Sequence, residues 1–216
     1  MIGGGYEGVE AVLNKPVKSA RKAKGDGHLR RIEILEAAER IFVADGYEGA
    51  TIRKIADEVG VSSTALYMHF RDKDEILHEI CLGALQTLLQ QNTQIAAMPA
   101  DPVTRLRLLL LAYMRMGLEH PNAYLLVYCA PQRLGAQAAT ADAAQKCYAA
   151  YAGVVNEIAA DGRLRSGDAD IAAQALWAAC HGLVALMITR PTVDWAPADE
   201  LTSLLLEGLL HGLVTD

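Results

Sequence analysis

The chain has 216 residues, 52% of them hydrophobic, and a formal net charge of −6. It is long enough to bury a real core, as one large helical domain or a small domain fused to a larger one; alanine and leucine dominate, β-branched runs are short and aromatic residues make up 6%, so an all-α fold of about nine helices is expected. The acidic balance argues against a nucleic-acid partner only until it is divided by region: residues 1–73 carry 12 Lys+Arg and 11 Asp+Glu, residues 74–216 carry 8 and 15, which concentrates positive charge in the first part.

Residues 1–27 hold three consecutive glycines and the cluster Lys15, Lys18, Arg21, Lys22 and Lys24. They read as a basic, flexible arm, either a solvated leader or a segment that follows phosphates or enters a minor groove. The arm lacks the apolar core of a secretory signal, so a cytosolic protein is expected. A helix from Arg30 then places Ile32, Leu35, Ala38, Ile41 and Phe42 inward and is broken at Asp45-Gly46-Tyr47. Residues 51–73 read as two short helices joined by a tight turn. The first has Ile52, Ile55, Ala56 and Val59 at helical spacing, Gly60 supplies the left-handed turn, and Ser62 caps the second. Leu66 and Phe70 face the core, which leaves Ser63, Thr64, Ala65, Tyr67, Met68 and His69 on or near the outer side, with Met68 open between packing and a groove contact. Short hydroxyl and methyl groups suit a major groove.

Phe42, Gly46 and Tyr47, then Thr51, Arg53, Ile55, Ala56, Gly60, Val61 and Ser62, then Leu66, Tyr67, His69, Phe70 and Lys73 together resemble the TetR family of bacterial transcriptional regulators in spacing as well as type. The resemblance implies a DNA-binding unit over residues 28–73 and an effector-binding and dimerisation domain over 74–216. In this unit Thr51 bonds a phosphate, Arg53 a phosphate or a guanine edge, and Ser62, Ser63 and Thr64 open the recognition helix with Ala65 offered to a thymine methyl. Tyr67, His69 and Lys73 fall at family positions that clamp the backbone. Thr64 and Ala65 depart from the proline or glycine and threonine often found there, so no base preference carries over.

Further helices are expected over about 74–95, from Pro102 to Leu118, from Pro121 to Cys129 with a stop at Pro131, over 137–160, from Asp168 or Asp170 to Ile188, and over 201–213. Ile171–Thr189 contains no Asp, Glu, Lys or Arg. It is long enough to span a bilayer, yet Gln174, Trp177 and His181 interrupt it, and a helix at a subunit contact explains it better. In the resembling family the last two helices of each subunit form a four-helix dimer bundle. A homodimer on a palindromic operator, acting as a repressor released by a small, largely apolar or aromatic effector and controlling efflux, is the function the resemblance implies.

Candidate effector contacts are Tyr113, Met114, Met116, Tyr124, Tyr128, Tyr148, Tyr151 and Met187, which combine apolar area with a few hydroxyls. Trp177-Ala-Ala-Cys-His181-Gly182 looks like a motif of one subgroup of TetR regulators. Trp177 and His181, four residues apart, share a helix face; they either line the pocket or serve packing, with Trp177 in the core, His181 in a structural hydrogen bond and Gly182 allowing close helix approach. Cys81, Cys129, Cys147 and Cys180 are scattered with no CxxC pair and are expected as free thiols in apolar surroundings. No GxSxG, glycine-rich phosphate loop or HExxH is present, so no enzyme, cofactor or metal is expected. The competing reading is a redox, metal or haem sensor, or an enzyme, built on Cys180 and His181.

Overall fold

The computed structural model describes residues 27–129, 138–165 and 167–215. The basic arm, the stop at Pro131 and the start at Gln137 lie outside the described residues. Among those described, nine α-helices follow one another and no strand forms beyond an isolated bridge between Leu164 and Val214.

The first helix, α1 (Gly27–Gly49), bends at Gly46, whose φ of 71° and ψ of 170° are not helical. Its buried side is Ile34, Ala37, Ala38 and Phe42. Ile32, expected inside, is exposed; a three-and-four apolar spacing fits two neighbouring phases, and packing against the next helices selects the one through Ile34. Next, α2 (Ile52–Val59) is capped by the Thr51 hydroxyl, which accepts from the Lys54 amide at 3.2 Å. It ends at Gly60, left-handed at φ 71°, while Val61 N–H returns to the Ala56 carbonyl at 2.9 Å; a side chain at 60 would be strained, so glycine sets this turn. The Ser62 hydroxyl accepts from the Ala65 amide at 3.1 Å and starts α3 (Ser63–Tyr67). A cap of this kind contributes roughly 1 kcal/mol.

The long α4 (Lys73–Ala96) opens with Asp72, which accepts from the Glu75 amide at 2.8 Å, while the Glu75 carboxylate accepts from the Arg71 amide at 2.6 Å. The Glu75 amide and the Arg71 guanidinium hold the Asp72 carboxyl below its ordinary value. Then come α5 (Pro102–Glu119), capped by Asp101; α6 (Pro121–Tyr124), running into a π-helical turn at Leu125–Cys129; α7 (Ala138–Ala160); α8 (Ala169–Thr189), capped by Asp168; and α9 (Ala198–Leu213).

Two cores divide α4 between them. The first gathers Ile34, Phe42, Ile55, Leu66 and Phe70 around Ile76, Ile80 and Cys81, with Leu126 of the π-helical turn added. The second joins Leu85 and Leu88 to α5, α7, α8 and α9. Arg105 is buried in this second part and donates to the Ala96 and Ala100 carbonyls and to Glu157, so it ties the end of α4 to α5 and α7. A Cβ on Gly117 would come within 2.5 Å of Val184 Cγ1 and 2.7 Å of Tyr124 Cδ2, so glycine permits the approach of α5 to α8. A Cβ on Gly182 would meet nothing within 4 Å among the described residues of the chain.

The helix α8 is long and apolar enough to cross a membrane by length and composition, with 28% of its most apolar window buried. Ile171, Trp177 and Leu186 on α8 and Leu204 on α9 are large apolar side chains left exposed.

Candidate functional site

The outer side of α3 stands clear of the core. Thr64, Tyr67 and Met68 are exposed, and Ser63, Ala65 and His69 are half-buried; Leu66 and Phe70 are buried beneath them. Met68, at 83% exposure, lies on the outer surface. Thr51 and Ser62 are both exposed at the starts of α2 and α3 with their hydroxyls in caps. The side chain of Arg53 is 86% exposed, with Asp57 nearby at 3.8 Å. An exposed pair at that distance contributes almost nothing and yields readily to a phosphate.

Lys73 is placed differently from the other candidates. Its ammonium donates to the Tyr47 carbonyl at 2.8 Å and the Ala50 carbonyl at 3.3 Å and lies 4.0 Å from the Tyr47 ring centroid. It therefore braces the loop between α1 and α2 from the start of α4. Arg31, not among the expected residues, does similar work: its guanidinium pairs with Glu79, donates to the His69 carbonyl and lies 4.0 Å over the Phe70 ring. The partners of Arg31 lie 38 and 48 residues away, which is why no local pattern signals this clasp. The head's other cations are also paired, Lys54 with Asp45 at 2.7 Å and Arg40 with Glu58 at 3.3 Å.

In the second part a cavity of about 900 Å³ lies between α4, α5, α7 and α8. Leu85 and Leu88 of α4 and Leu109 and Leu110 of α5 make its apolar wall. Of the expected contacts, Tyr113, Tyr128, Tyr148, Tyr151 and Trp177 line it. Met114, Met116, Tyr124, Met187 and His181 do not: Met114, Met116 and Tyr124 are buried in the core beside it. Sequence periodicity marks them as inward, but it does not distinguish packed interior from a void. Asn92, Leu85 and Leu88 were missed; their i, i+3, i+7 spacing on α4 is a detectable signal, with one polar residue on an otherwise apolar stripe. A second depression of about 530 Å³ is an acidic surface dent on α9 around Leu204 and holds none of the expected residues.

The aromatic residues form a connected cluster. Tyr128 lies edge-on to Tyr113 at 5.5 Å between centroids, and Tyr148 contacts Tyr151 at 6.0 Å and Trp177 at 5.8 Å. Behind them, the Tyr124 hydroxyl lies 2.6 Å from His181 Nδ1 and the Tyr113 hydroxyl 3.1 Å from the same atom. His181 thus has a structural role, while Trp177, expected either in the pocket or in the core, lines the cavity at 40% exposure. Burial lowers the His181 pKa and raises those of Tyr113, Tyr128 and Tyr151. The imidazole and the phenols are therefore neutral together, and both hydroxyls meet the ring at Nδ1.

Cys180 has no accessible surface, and burial pushes its thiol up to about 12. A thiol held in that state is a poor nucleophile and a poor metal ligand. All four cysteines are free; Cys81, Cys147 and Cys180 are buried and Cys129 is exposed, contrary to the apolar surroundings expected for it. Among the described residues no three His, Cys, Asp or Glu gather closely enough to hold a metal ion.

A helix-turn-helix head joined by one long helix to a helical domain with a ligand-sized cavity is the architecture of a one-component regulator. The family described as bacterial regulatory proteins, tetR family, matches residues 34–80, and that described as tetracyclin repressor-like, C-terminal domain, matches residues 106–209. The chain belongs to the TetR family. It is 35% identical over 117 residues to the HTH-type transcriptional repressor KstR2 of Mycobacterium tuberculosis, covering 54% of this chain and 58% of that protein. It is 50% identical over 48 residues to the repressor AcnR of Corynebacterium diphtheriae, covering 22% of this chain and 25% of that one. The chain thus spans little more than half the length of the curated relatives it matches at best. The solved structure of the ketosteroid transcriptional regulator KstR2 of M. tuberculosis superimposes with a TM-score of 0.74 at 25% identity, covering 87% of this chain and 96% of that chain. The TetR family regulator PfmR of Thermus thermophilus does so with a TM-score of 0.70 at 25% identity, covering 82% and 97%.

Proposed function

We propose that this protein is a cytoplasmic, homodimeric transcriptional repressor that binds a palindromic operator and leaves it when a small, largely apolar effector occupies the second domain. The observation that carries the reading is the course of α4. Its first turns belong to the core under the recognition helix, and its Leu85 and Leu88 line the cavity. At 1.5 Å per residue, about 28 Å of rigid helix separates Lys73 from Asn92. Any ligand that prefers one position of α4 over another changes the spacing of two heads in a dimer, so ligand and operator affinities oppose each other.

Residues 28–73, completed by the first turns of α4, are the DNA reader, and the remainder of the chain binds effector and partner. Thr51, Arg53, Tyr67 and His69 engage the backbone. Ser63, Thr64 and Ala65 face the bases, and Lys73 holds the reader in shape. The exposed apolar residues of α8 and α9 are covered by the same helices of a second copy. Trp177, His181 and Gly182 support reading the chain as one of the subgroup that carries this motif. The controlled genes export the compounds that fit the cavity; the name of KstR2, a ketosteroid transcriptional regulator, favours ring compounds among them.

The test is selection of bound duplexes from a random pool by the full chain, followed by a mobility shift. Enrichment of an inverted repeat bound by a dimer is the expected result. Recovery of unrelated sequences with uniform, salt-sensitive affinity would sink the operator reading.

A further inference from the structure

One polar residue in the cavity wall is incompletely satisfied. Asn92 is 5% exposed and lines the cavity together with Leu85 and Leu88. Its Nδ2 donates to the Cys147 carbonyl across 3.4 Å, and its Oδ1 is buried without a hydrogen-bond partner among the described residues. The amide cannot simply be reversed, because a carbonyl only accepts and the nitrogen must face Cys147. The acceptor end is therefore the one left over, desolvated and unpaired.

Three other polar groups of the wall are already engaged, while Tyr128, Tyr148 and Gln174 add further polar groups to it. The Tyr151 hydroxyl donates to the Ala173 carbonyl at 2.7 Å, the Thr140 hydroxyl meets His78 Nδ1 at 2.6 Å, and the Tyr113 hydroxyl is shared with Tyr124 and His181. Among the described residues none lining the cavity is Asp, Glu, Lys or Arg, so this wall offers no counter-charge to an ion and burying one against it would be strongly unfavourable.

From these two observations, and from the Tyr and Trp rings that line the cavity, we infer that the effector is an uncharged ring compound carrying a hydroxyl or N–H, and that this donor is received by Asn92 Oδ1. The inference rests on the reading of the cavity as the effector site. It makes Asn92 the residue that selects a donor-bearing ligand, and it sets the polar contact on α4 itself, the helix that leads to the DNA reader. An apolar analogue without the donor fills the same space but leaves the amide oxygen unpaired.

The test uses the full chain and three probes of one shape in equilibrium dialysis: 4-phenylphenol, 4-methoxybiphenyl and biphenyl-4-carboxylate. The phenol is expected to bind about tenfold more tightly than the ether, which keeps the oxygen but not the donor. The carboxylate is expected to bind most weakly. In Asn92→Leu, close in shape and without the unpaired oxygen, the preference for the phenol over the ether is lost and the melting temperature does not fall. Equal affinity of phenol and ether for the wild type, or an unchanged preference in Asn92→Leu, overturns the role of Asn92 while leaving the cavity as a binding site. A carboxylate that binds as tightly as the phenol overturns the requirement for a neutral ligand. Failure of the folded wild type to bind any of the three overturns the inference together with the cavity reading beneath it.

Discussion

The Lys73 ammonium sits 4.0 Å from the Tyr47 ring centroid and donates to the Tyr47 carbonyl at 2.8 Å, so a cation at the first turn of α4 holds the loop from which α2 begins. Lys73→Ala is therefore expected to lower stability by about 1–2 kcal/mol, from lost charged hydrogen bonds and cation–π contact in a half-exposed setting. Its effect on operator binding should accompany this loss. Arg53→Ala, by contrast, is expected to leave the urea midpoint unchanged and reduce the salt slope of operator binding by about 1. Denaturation and salt titration of both variants check this, and equal stability losses would refute the division of roles.

The contact of α5 with α8 through Gly117 gives a second prediction. Gly117→Ala places a methyl within 2.5 Å of Val184 Cγ1, and overpacking of this kind costs about 1–3 kcal/mol. Shortening the neighbour in Gly117→Ala/Val184→Ala should recover part of the loss, because the two positions are in contact. Additive losses in the double variant would show that the strain lies elsewhere.

His181 predicts a pH effect whose sign follows from burial. Its folded pKa lies below the ordinary 6.5, so on acidification the unfolded chain takes up a proton before the folded one does. Stability conferred by the neutral ring is complete above the unfolded value and declines as pH falls through it toward the folded value. In addition, Nδ1 shares a hydrogen bond with the Tyr124 hydroxyl at 2.6 Å; a protonated ring is a donor at that atom and requires the hydroxyl to accept. Melting temperatures at pH 7.5 and 5.5 are expected to differ more for the wild type than for His181→Gln. An equal difference would remove His181 as the source.

Occupancy of the cavity can be blocked without touching the reader. Ala144 lines it from α7, and Ala144→Trp is expected to raise the effector concentration needed for operator release by about tenfold or more while leaving operator affinity intact. Mobility shifts with and without effector measure both quantities. Unaltered release would move the effector site elsewhere.

The exposed apolar residues of α8 and α9 make the last prediction. Leu204 is 73% exposed, and Leu204→Glu is expected to weaken self-association by about tenfold or more, with operator binding weakened in parallel. Sedimentation of the wild type and variant checks this. A wild type that remains monomeric at micromolar concentration would refute the dimer.

The reader was largely legible because its signals are local. Gly60 marks the turn, Thr51 and Ser62 mark the helix starts, and Leu66 and Phe70 mark the buried side, each within a few residues of the structure it sets. Ile32 shows the limit even here: its spacing fits an inward face, but the choice between adjacent helix phases is made by α2 and α4, and Ile34 is buried instead. The cavity was legible only in part. Tyr113 and Met114 are neighbours on one helix and both buried, yet only Tyr113 borders the void.

By itself, then, the amino-acid sequence determined the all-α class, the helix-turn-helix and its exposed polar face, because helix periodicity, capping and turn chemistry act over a few residues. Tertiary structure alone decided that Lys73 braces the loop between α1 and α2, that His181 is held by Tyr124 behind the cavity, and that Asn92 stands in its wall. Those facts depend on how far apart four helices pack and on partners tens of residues away. A void is a property of the distances between helices, and no single helix encodes it.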